Sequence, residues 1–223
     1  MGTVRILGER LAFIQSLYER SSAPFRGMMQ QIEAGEEPYV DRRDPENYDE
    51  PAFLAEWLDA NESVHVLGQW SLGMVQAAFK AYLQQFLEDM ESWNGFENLN
   101  GKLSNKKGNW FQKYQLLFGE DLKIELKRSP VDVDTLEQII LTRNDFEHNS
   151  DLFSTSVYQS DHHAKKYPES LFIDDDYLFE SRYARVPLKV NREKLDTAIN
   201  AVMGFCEFLD GIRADYHEYL RSM

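Results

Sequence analysis

The sequence contains a single cysteine, Cys206, among its 223 residues. One thiol can form neither a disulfide within the chain nor a cysteine-rich metal site, so both are excluded. The sequence also lacks an apolar run of the roughly 18–20 residues that a transmembrane helix needs. Charged residues at positions 5, 9 and 10 interrupt the N-terminal segment, which therefore has no apolar stretch typical of a secretory signal. These absences predict a cytoplasmic protein that does not enter a membrane.

Basic residues are also few. The chain has 24 Lys and Arg against 38 Asp and Glu, which gives a formal net charge of −14 at pH 7. That balance argues against a broad positive face for long nucleic acid, although it leaves room for a small pocket that binds one phosphate. No glycine-rich phosphate loop, Gly-x-Ser-x-Gly elbow or His-Glu-x-x-His zinc motif occurs. The sequence accordingly predicts neither a cofactor nor a bound metal.

Apolar side chains, by contrast, are plentiful and regularly spaced. Hydrophobic residues make up 43% of the chain, which suits a packed globular core. Their spacing predicts an all-α protein, an antiparallel helical bundle. Helices are expected over about 4–35 with a kink or an interruption near Pro24, and then over about 49–60, 62–93, 109–119, 130–148 and 191–220.

The segment before the C-terminal helix has a different pattern. Three short strand candidates occur there, Ser154–Tyr158, Leu171–Ile173 and Val186–Val190. They predict a small irregular or β-hairpin insertion ahead of the last helix.

The helical pattern also divides the chain into two parts. Residues 1–60 are predicted to form an N-terminal helical extension packed on the main domain, a helical bundle over residues 61–223. Asn61 is expected to cap the long central helix. Trp70, Trp93 and Trp110 are expected in the core or at its edge, and Cys206 is expected inside the core as an inert thiol.

Residues 143–148 form the one segment whose residue types suggest a specific chemistry. Their sequence is Arg-Asn-Asp-Phe-Glu-His, at the end of a predicted amphipathic helix. Metal-free RNA cleavage needs a base for the 2′-hydroxyl, an acid for the leaving 5′-oxygen and positive charge on the phosphate. A histidine such as His148 can serve as either base or acid. Arg143 offers a planar fork of donors to phosphate oxygens, and Asn144 can orient the histidine or bind the phosphate.

The same residues also fit a plain structural interpretation. Arg143 and Glu147 lie four residues apart, which is the spacing of a helical salt bridge. Asn144 and His148 have the same spacing, and His148 with Asn149 can simply finish the helix. The motif alone therefore leaves both interpretations open.

Arg-Asn-x-x-x-His at the end of a helix resembles the signature of the HEPN superfamily, small helical-bundle proteins that include many RNA-cutting toxins and antiviral effectors. Their signature is an Arg, four to six residues and a His, often with a polar residue directly after the Arg. Arg143, Asn144 and His148 fit these three positions. The resemblance covers about residues 62–221, of which only the short motif is specific.

This resemblance implies a metal-independent endoribonuclease that leaves 2′,3′-cyclic phosphate ends, with Arg143, Asn144 and His148 as the catalytic residues. It further implies an RNA substrate, a toxin or phage-defence setting, and an antitoxin or another protein partner. The alternative is a non-catalytic HEPN-like helical module for dimerisation and for binding a protein or a nucleotide. The acidic charge modestly favours that alternative.

The motif also predicts a homodimer. One histidine cannot conveniently fill both proton-transfer roles in one step, and residues five apart leave a straight helix roughly 140° apart. A single copy of Arg143 and His148 is thus an incomplete site. Two copies that face each other across a two-fold axis would complete it. The resemblance implies this arrangement, because HEPN ribonucleases place their paired motifs at a homodimer interface.

Two further groups of residues are candidates for binding. Five lysines could contact an RNA backbone, namely Lys106 and Lys107 in a turn-rich segment, Lys113 in the predicted helix that follows it, and Lys165 and Lys166 in a predicted loop. Asp161-His162-His163, with the acidic run at 174–176, invites a metal interpretation, but its spacing matches no closed site. Solvated loop residues are the ordinary alternative for both groups.

Overall fold

The computed structural model describes residues 2–43, 50–93, 95–148, 157–173 and 187–222, with side chains described as far as residue 216. Helices and strands follow in this order: α1 (Thr3–Ala34), α2 (Leu54–Trp93), α3 (Leu99–Asn105), α4 (Trp110–Glu120), α5 (Val133–His148), β1 (Val157–Tyr158), α6 (Asp161–Lys166), β2 (Pro187–Leu188) and α7 (Arg192–Ser222). They confirm the predicted all-α bundle with a small β insertion before its last helix. Among the described helices, none has the length and apolar character needed to cross a membrane.

Helices α1 and α2 pack as an antiparallel pair. At one end Thr3 Oγ1 donates to Asp89 Oδ2 (3.2 Å). At the other end Trp57 Nε1 donates to Glu33 Oε1 (2.8 Å). The start of α1 therefore lies at the end of α2, and the apolar faces of the two helices meet along most of their length.

Helix α1 continues through Pro24, which excludes the predicted interruption, whereas the alternative of a kink at Pro24 stays a prediction. A proline inside a helix removes one backbone donor and crowds the preceding turn. In α1, Ser22 Oγ donates to the carbonyl of Tyr18 (2.7 Å) in that same turn. Tyr18 and Ser22 are both buried, so the packing of this face opposes a break at the proline.

Helix α2 is longer than predicted, because it runs without a break from Leu54 to Trp93. Ala60 and Val64 are buried on either side of Asn61, and the apolar face therefore continues across the residue expected to start a new helix. The predicted boundary between residues 1–60 and residues 61–223 lies inside this helix. The division into an extension and a main bundle stays a prediction.

Helix α7 returns the chain to the centre of the bundle and runs in the same direction as α2. Gly68 of α2 lies against the segment just before α7, where an added Cβ would sit 1.9 Å from the Val190 carbonyl oxygen. Further along, Tyr82 donates its hydroxyl to the Cys206 carbonyl (2.8 Å). Burial raises the pKa of the Cys206 thiol, which is fully enclosed as predicted. The approach at Gly68 is so close that only glycine fits without a shift of the backbone.

Aromatic rings fill much of the space between these helices. The ring of Phe79 lies 5.9 Å from that of Phe205 and 6.1 Å from that of Trp110, both edge-on. Trp110 is half-buried, as predicted. Trp70 and Trp93 are 74% and 65% exposed, so their predicted place in the core or at its edge is wrong. Both lie on α2, which keeps a solvent-facing side although its other sides are packed.

The insertion forms a two-stranded antiparallel hairpin. Val157 pairs with Leu188 and Tyr158 with Pro187, and Ile173 adds an isolated antiparallel bridge to Leu188. These contacts fall within the three predicted strand segments, of which residues 154–156 and 186 lie outside the described part of the chain. The hairpin brackets α6 in sequence, and α6 packs on α5.

Candidate functional site

Helix α5 carries the motif and divides its side chains between two neighbours. Leu136 and Ile139 are buried in the core that α5 shares with α2 and α7. On another side, Asp134 and Asp145 bond to α6 and to the residue that follows it. Residues 143–148 occupy the last turns of α5, where the sequence predicts them. The motif therefore lies at the end of a helix that packs on the core through one side and bonds to α6 through another.

Arg143 is held by its own helix. Its guanidinium forms an ion pair with Glu147, one turn further on, and its Nη1 donates a long hydrogen bond to Asn144 Oδ1 (3.4 Å). The side chains of Arg143 and Glu147 are 31% and 48% exposed. Solvent weakens an ion pair of this kind to about 1 kcal/mol or less. The salt bridge expected from the structural interpretation is thus present, and it is weak enough for a phosphate to compete with the carboxylate.

His148 is the last residue of α5, and its side chain is exposed to solvent. Five residues separate it from Arg143, so the two side chains leave the helix roughly 140° apart. Asn144 is half-buried and lies one turn before His148. An exposed imidazole can reach a substrate, but one chain presents only one of them at the motif. That one copy is half a site stays a prediction.

Asp145, the third residue of the motif, forms a buried pair with His163 of α6. The His163 Nδ1 lies 2.6 Å from Asp145 Oδ2, and the side chains are 0% and 7% exposed respectively. At that distance the Nδ1–H donates to the carboxylate. His163 therefore faces Asp145, and the described residues contain no group of three or more side chains that could hold a metal ion. The acidic run at 174–176 lies outside the described part of the chain.

Polar contacts continue along the α5–α6 contact, which we call the polar layer. Lys166 Nζ donates to Glu137 Oε2 (2.6 Å), and the Glu137 side chain is only 4% exposed. The hydroxyl of Tyr167 lies 2.9 Å from Asp134 Oδ1 and 3.1 Å from Glu137 Oε2. Burial, together with these carboxylates, raises the pKa of Tyr167. The later residues of α6 thus meet the earlier turns of α5, so the two helices are antiparallel.

Of the five predicted RNA-binding lysines, two form ion pairs with carboxylates of the same chain. Lys106 bonds to Glu120 (2.6 Å) and Asp121 (2.7 Å), which raises the pKa of Lys106 and lowers that of Asp121. Lys166 is paired with Glu137 as described above. Lys107 and Lys165 are exposed, whereas Lys113 is half-buried. Two of the five lysines are therefore already neutralised within the chain, and RNA binding by this set stays a prediction.

The pairing of Asp145 with His163 was not predicted from the sequence. The sequence does carry a partial signal, since Asp134, Gln138 and Asp145 recur on one side of α5 at helical spacing. The signal shows a polar side but does not name the partner. His163 lies 18 residues further along the chain, and only the return of α6 brings it to Asp145.

No model of a known protein family, no curated protein and no solved structure matches this chain. Residues 143–148 and their surroundings therefore carry the functional proposal by themselves.

Proposed function

We propose that this protein is a metal-independent endoribonuclease of HEPN type that acts as a homodimer. The observation that carries the proposal is the placement of Arg143 and His148. Both stand on the last turns of one helix with the Arg-x4-His spacing, and both side chains reach solvent. The half-buried Asn144 lies next to the guanidinium and accepts a hydrogen bond from it.

The chemistry follows from the side chains. His148 of one copy takes the proton of the RNA 2′-hydroxyl, and the 2′-oxygen forms a bond to phosphorus. The bond from phosphorus to the 5′-oxygen breaks, and His148 of a second copy donates a proton to that leaving oxygen. Arg143 neutralises the charge that develops on the phosphate oxygens. The products are a 2′,3′-cyclic phosphate and a 5′-hydroxyl.

The ion pair between Arg143 and Glu147 is compatible with this role. A carboxylate and a phosphate use the same fork of guanidinium donors. Because the pair is partly exposed, the cost of exchanging one anion for the other is small. We infer that Glu147 holds the guanidinium in place until a substrate phosphate displaces its carboxylate.

The biological setting of the proposal comes from the family resemblance. An RNA-cutting protein of this size and type acts in the cytoplasm as a toxin or as a phage-defence effector. A toxin of that kind is held by an antitoxin or another protein partner. The net charge of −14 favours a basic surface on such a partner.

A second candidate function is a non-catalytic HEPN-like module that dimerises and binds a protein or a nucleotide. The observation that favours it is that three of the cations proposed to contact RNA are already paired with carboxylates. Arg143, Lys106 and Lys166 are each paired with a carboxylate within the chain. In such a module Arg143 is a structural residue of α5.

Cleavage of a mixed RNA pool in EDTA separates the two functions. The wild type is expected to produce fragments with 2′,3′-cyclic phosphate ends, and Arg143→Ala is expected to produce few. Arg10→Ala serves as the matched control, because Arg10 is an exposed arginine on α1. Absence of cleavage by the wild type, or equal cleavage by wild type and Arg143→Ala, would reject the catalytic function.

The dimer has its own test. Light scattering at the concentration of the cleavage assay is expected to give twice the mass of the 26.1 kDa chain. A monomer that still cleaves RNA would show that one copy of the motif suffices, which contradicts the composite site.

A further inference from the structure

A second imidazole lies directly beside the motif, and the proposed reaction does not use it. His163 of α6 donates through Nδ1 to Asp145, two residues after Arg143 and three before His148. Its side chain is fully buried, and its Nε2 is also buried, with no hydrogen-bond partner among the described residues. A substrate cannot reach that nitrogen in the folded chain. His163 is therefore not placed to exchange a proton with RNA, and its contact with Asp145 must be explained otherwise.

The contact fixes the position of the last turn of α5. The Asp145 carboxylate is almost completely buried, and a buried anion without a partner is strongly unfavourable. The carboxylate is thus held at His163. The other end of α6 is fastened to α5 through Lys166 and Glu137, so α6 itself is anchored. The last turn of α5 is in this way tied to a fixed neighbour.

The same contact also decides what lies next to His148. Asp145 and His148 are three residues apart and leave the helix on the same side, roughly 60° apart. At that spacing a carboxylate and an imidazole can meet on a helix surface. His163 occupies the Asp145 carboxylate and keeps it from His148. Without His163, the released carboxylate would compete for the imidazole and change its orientation.

We propose that Asp145 and His163 form a positioning pair, which holds the last turn of α5 on α6 and thereby orients the His148 imidazole and the Arg143 guanidinium. The effect on RNA cleavage rests on the proposed function. The orientation of His148 does not, so the two can be tested separately.

Two substitutions at His163 test the pair, with a control on the same helix. His163→Leu removes the donor at similar volume, and His163→Asn keeps an N–H near the place of Nδ1. His162→Leu is the control, because His162 is exposed. The probe is the NMR signal of the His148 imidazole, with hydrogen exchange of the amides of residues 143–148. His163→Leu is expected to shift the signal and to speed exchange by about tenfold, whereas His163→Asn and His162→Leu stay close to the wild type.

The cleavage assay adds a second measurement. His163→Leu is expected to lower kcat by about 100-fold with KM nearly unchanged, because misplaced catalytic groups slow the chemical step. His163→Asn is expected to restore most of the rate. If the wild type does not cleave RNA, the proposed function fails, and the NMR comparison still decides whether the pair positions His148.

An unchanged His148 signal and unchanged exchange in His163→Leu would overturn the positioning proposal. If His163→Leu does not fold, the double variant Asp145→Leu/His163→Leu replaces it, because removing both polar groups leaves no unpaired charge in the interior. The double variant releases no carboxylate toward His148, so it is expected to shift the His148 signal less than His163→Leu does and to speed exchange, because the directional contact that holds the last turn of α5 is gone. A wild-type spectrum at residues 143–148 in that variant would likewise overturn the proposal.

Discussion

The centre of the bundle and the polar layer between α5 and α6 are built from different interactions. Between α1, α2 and α7 the buried residues are almost all apolar, and rings such as Phe79 and Phe205 pack edge-on. Between α5 and α6 two carboxylates are buried and bonded: Glu137 bonds to the exposed Lys166, and Asp145 bonds to the buried His163. The first kind of contact stabilises without fixing direction, whereas the second kind fixes the partner and the orientation of each side chain. The motif lies beside the polar layer, to which it contributes Asp145.

Removal of a ring from the centre should have the largest effect on stability. Phe79→Ala leaves a cavity among rings from α4 and α7, and the free energy of unfolding is expected to fall by about 3–5 kcal/mol. Phe13→Ala is the matched control, because Phe13 is 63% exposed, and its effect should be small. Urea unfolding followed by circular dichroism measures both. Equal losses in the two variants would contradict the assignment of the core.

Two glycines of α2 should respond in opposite ways to replacement by alanine, because only one of them lies against the segment before α7. Gly68→Ala places a Cβ against the Val190 carbonyl and should cost about 1–3 kcal/mol. Gly73 lies in the same helix, and among the described residues no atom outside the nearby backbone of α2 comes within 4 Å of an added Cβ. Gly73→Ala is therefore expected to stabilise by about 0.5–1 kcal/mol, since alanine is the better helix former. The midpoint of thermal unfolding should fall for Gly68→Ala and rise for Gly73→Ala, and a rise for both variants would show that the Gly68 contact is not tight.

In the polar layer, a single hydroxyl should have a moderate effect. Tyr167→Phe removes the donor to Asp134 and Glu137 while keeping the ring, and a loss of about 1 kcal/mol is expected. Tyr158→Phe, in the half-exposed β1 strand, provides a matched control. The comparison uses the midpoint of urea unfolding at pH 7. A loss no larger than that of Tyr158→Phe would show that the polar layer does not stabilise the fold.

The smallest effect should come from the ion pair of Asp121 with Lys106, at the surface of the α3–α4 region. The hydrogen bond that the Asp121 carboxylate accepts from Lys106 lowers the pKa of Asp121 in the folded chain. A lowered carboxyl pKa contributes stability above the unfolded pKa, and that contribution is lost as pH falls through the folded pKa. The stability difference between wild type and Asp121→Asn should therefore be present at pH 7 and shrink toward about pH 3. A difference that is the same at both pH values would contradict the pair.

Long periodic segments were predictable because a wide apolar stripe allows only one kind of element. Helix α7, with its buried face from Leu195 to Leu209, follows directly from spacing. Local signals misled where packing overrides them, as at Pro24 and at Asn61. Proline and a good capping residue predict helix ends, but packing keeps each helix continuous. Ser22 is buried before Pro24 and the partly buried Phe25 packs against the core after it, whereas Ala60 and Val64 are buried on either side of Asn61.

The candidate site was predictable only in part. The position of Arg143 and His148 at a helix end follows from the motif and from the pattern of α5. The partner of Asp145 does not, because a polar residue on a helix side can face solvent or any donor that the fold returns to it. His163 reaches Asp145 only after the chain has passed through β1 and turned back as α6.

The central claim is that His148 carries metal-independent RNA cleavage, and its most direct test is the initial cleavage rate of three proteins in EDTA. These are the wild type, His148→Ala and His162→Ala, the last an exposed histidine on α6. General acid–base catalysis contributes about 100-fold or more, so His148→Ala should be slower than wild type by at least that factor. His162→Ala should match the wild type. A rate for His148→Ala equal to that of His162→Ala would contradict the account.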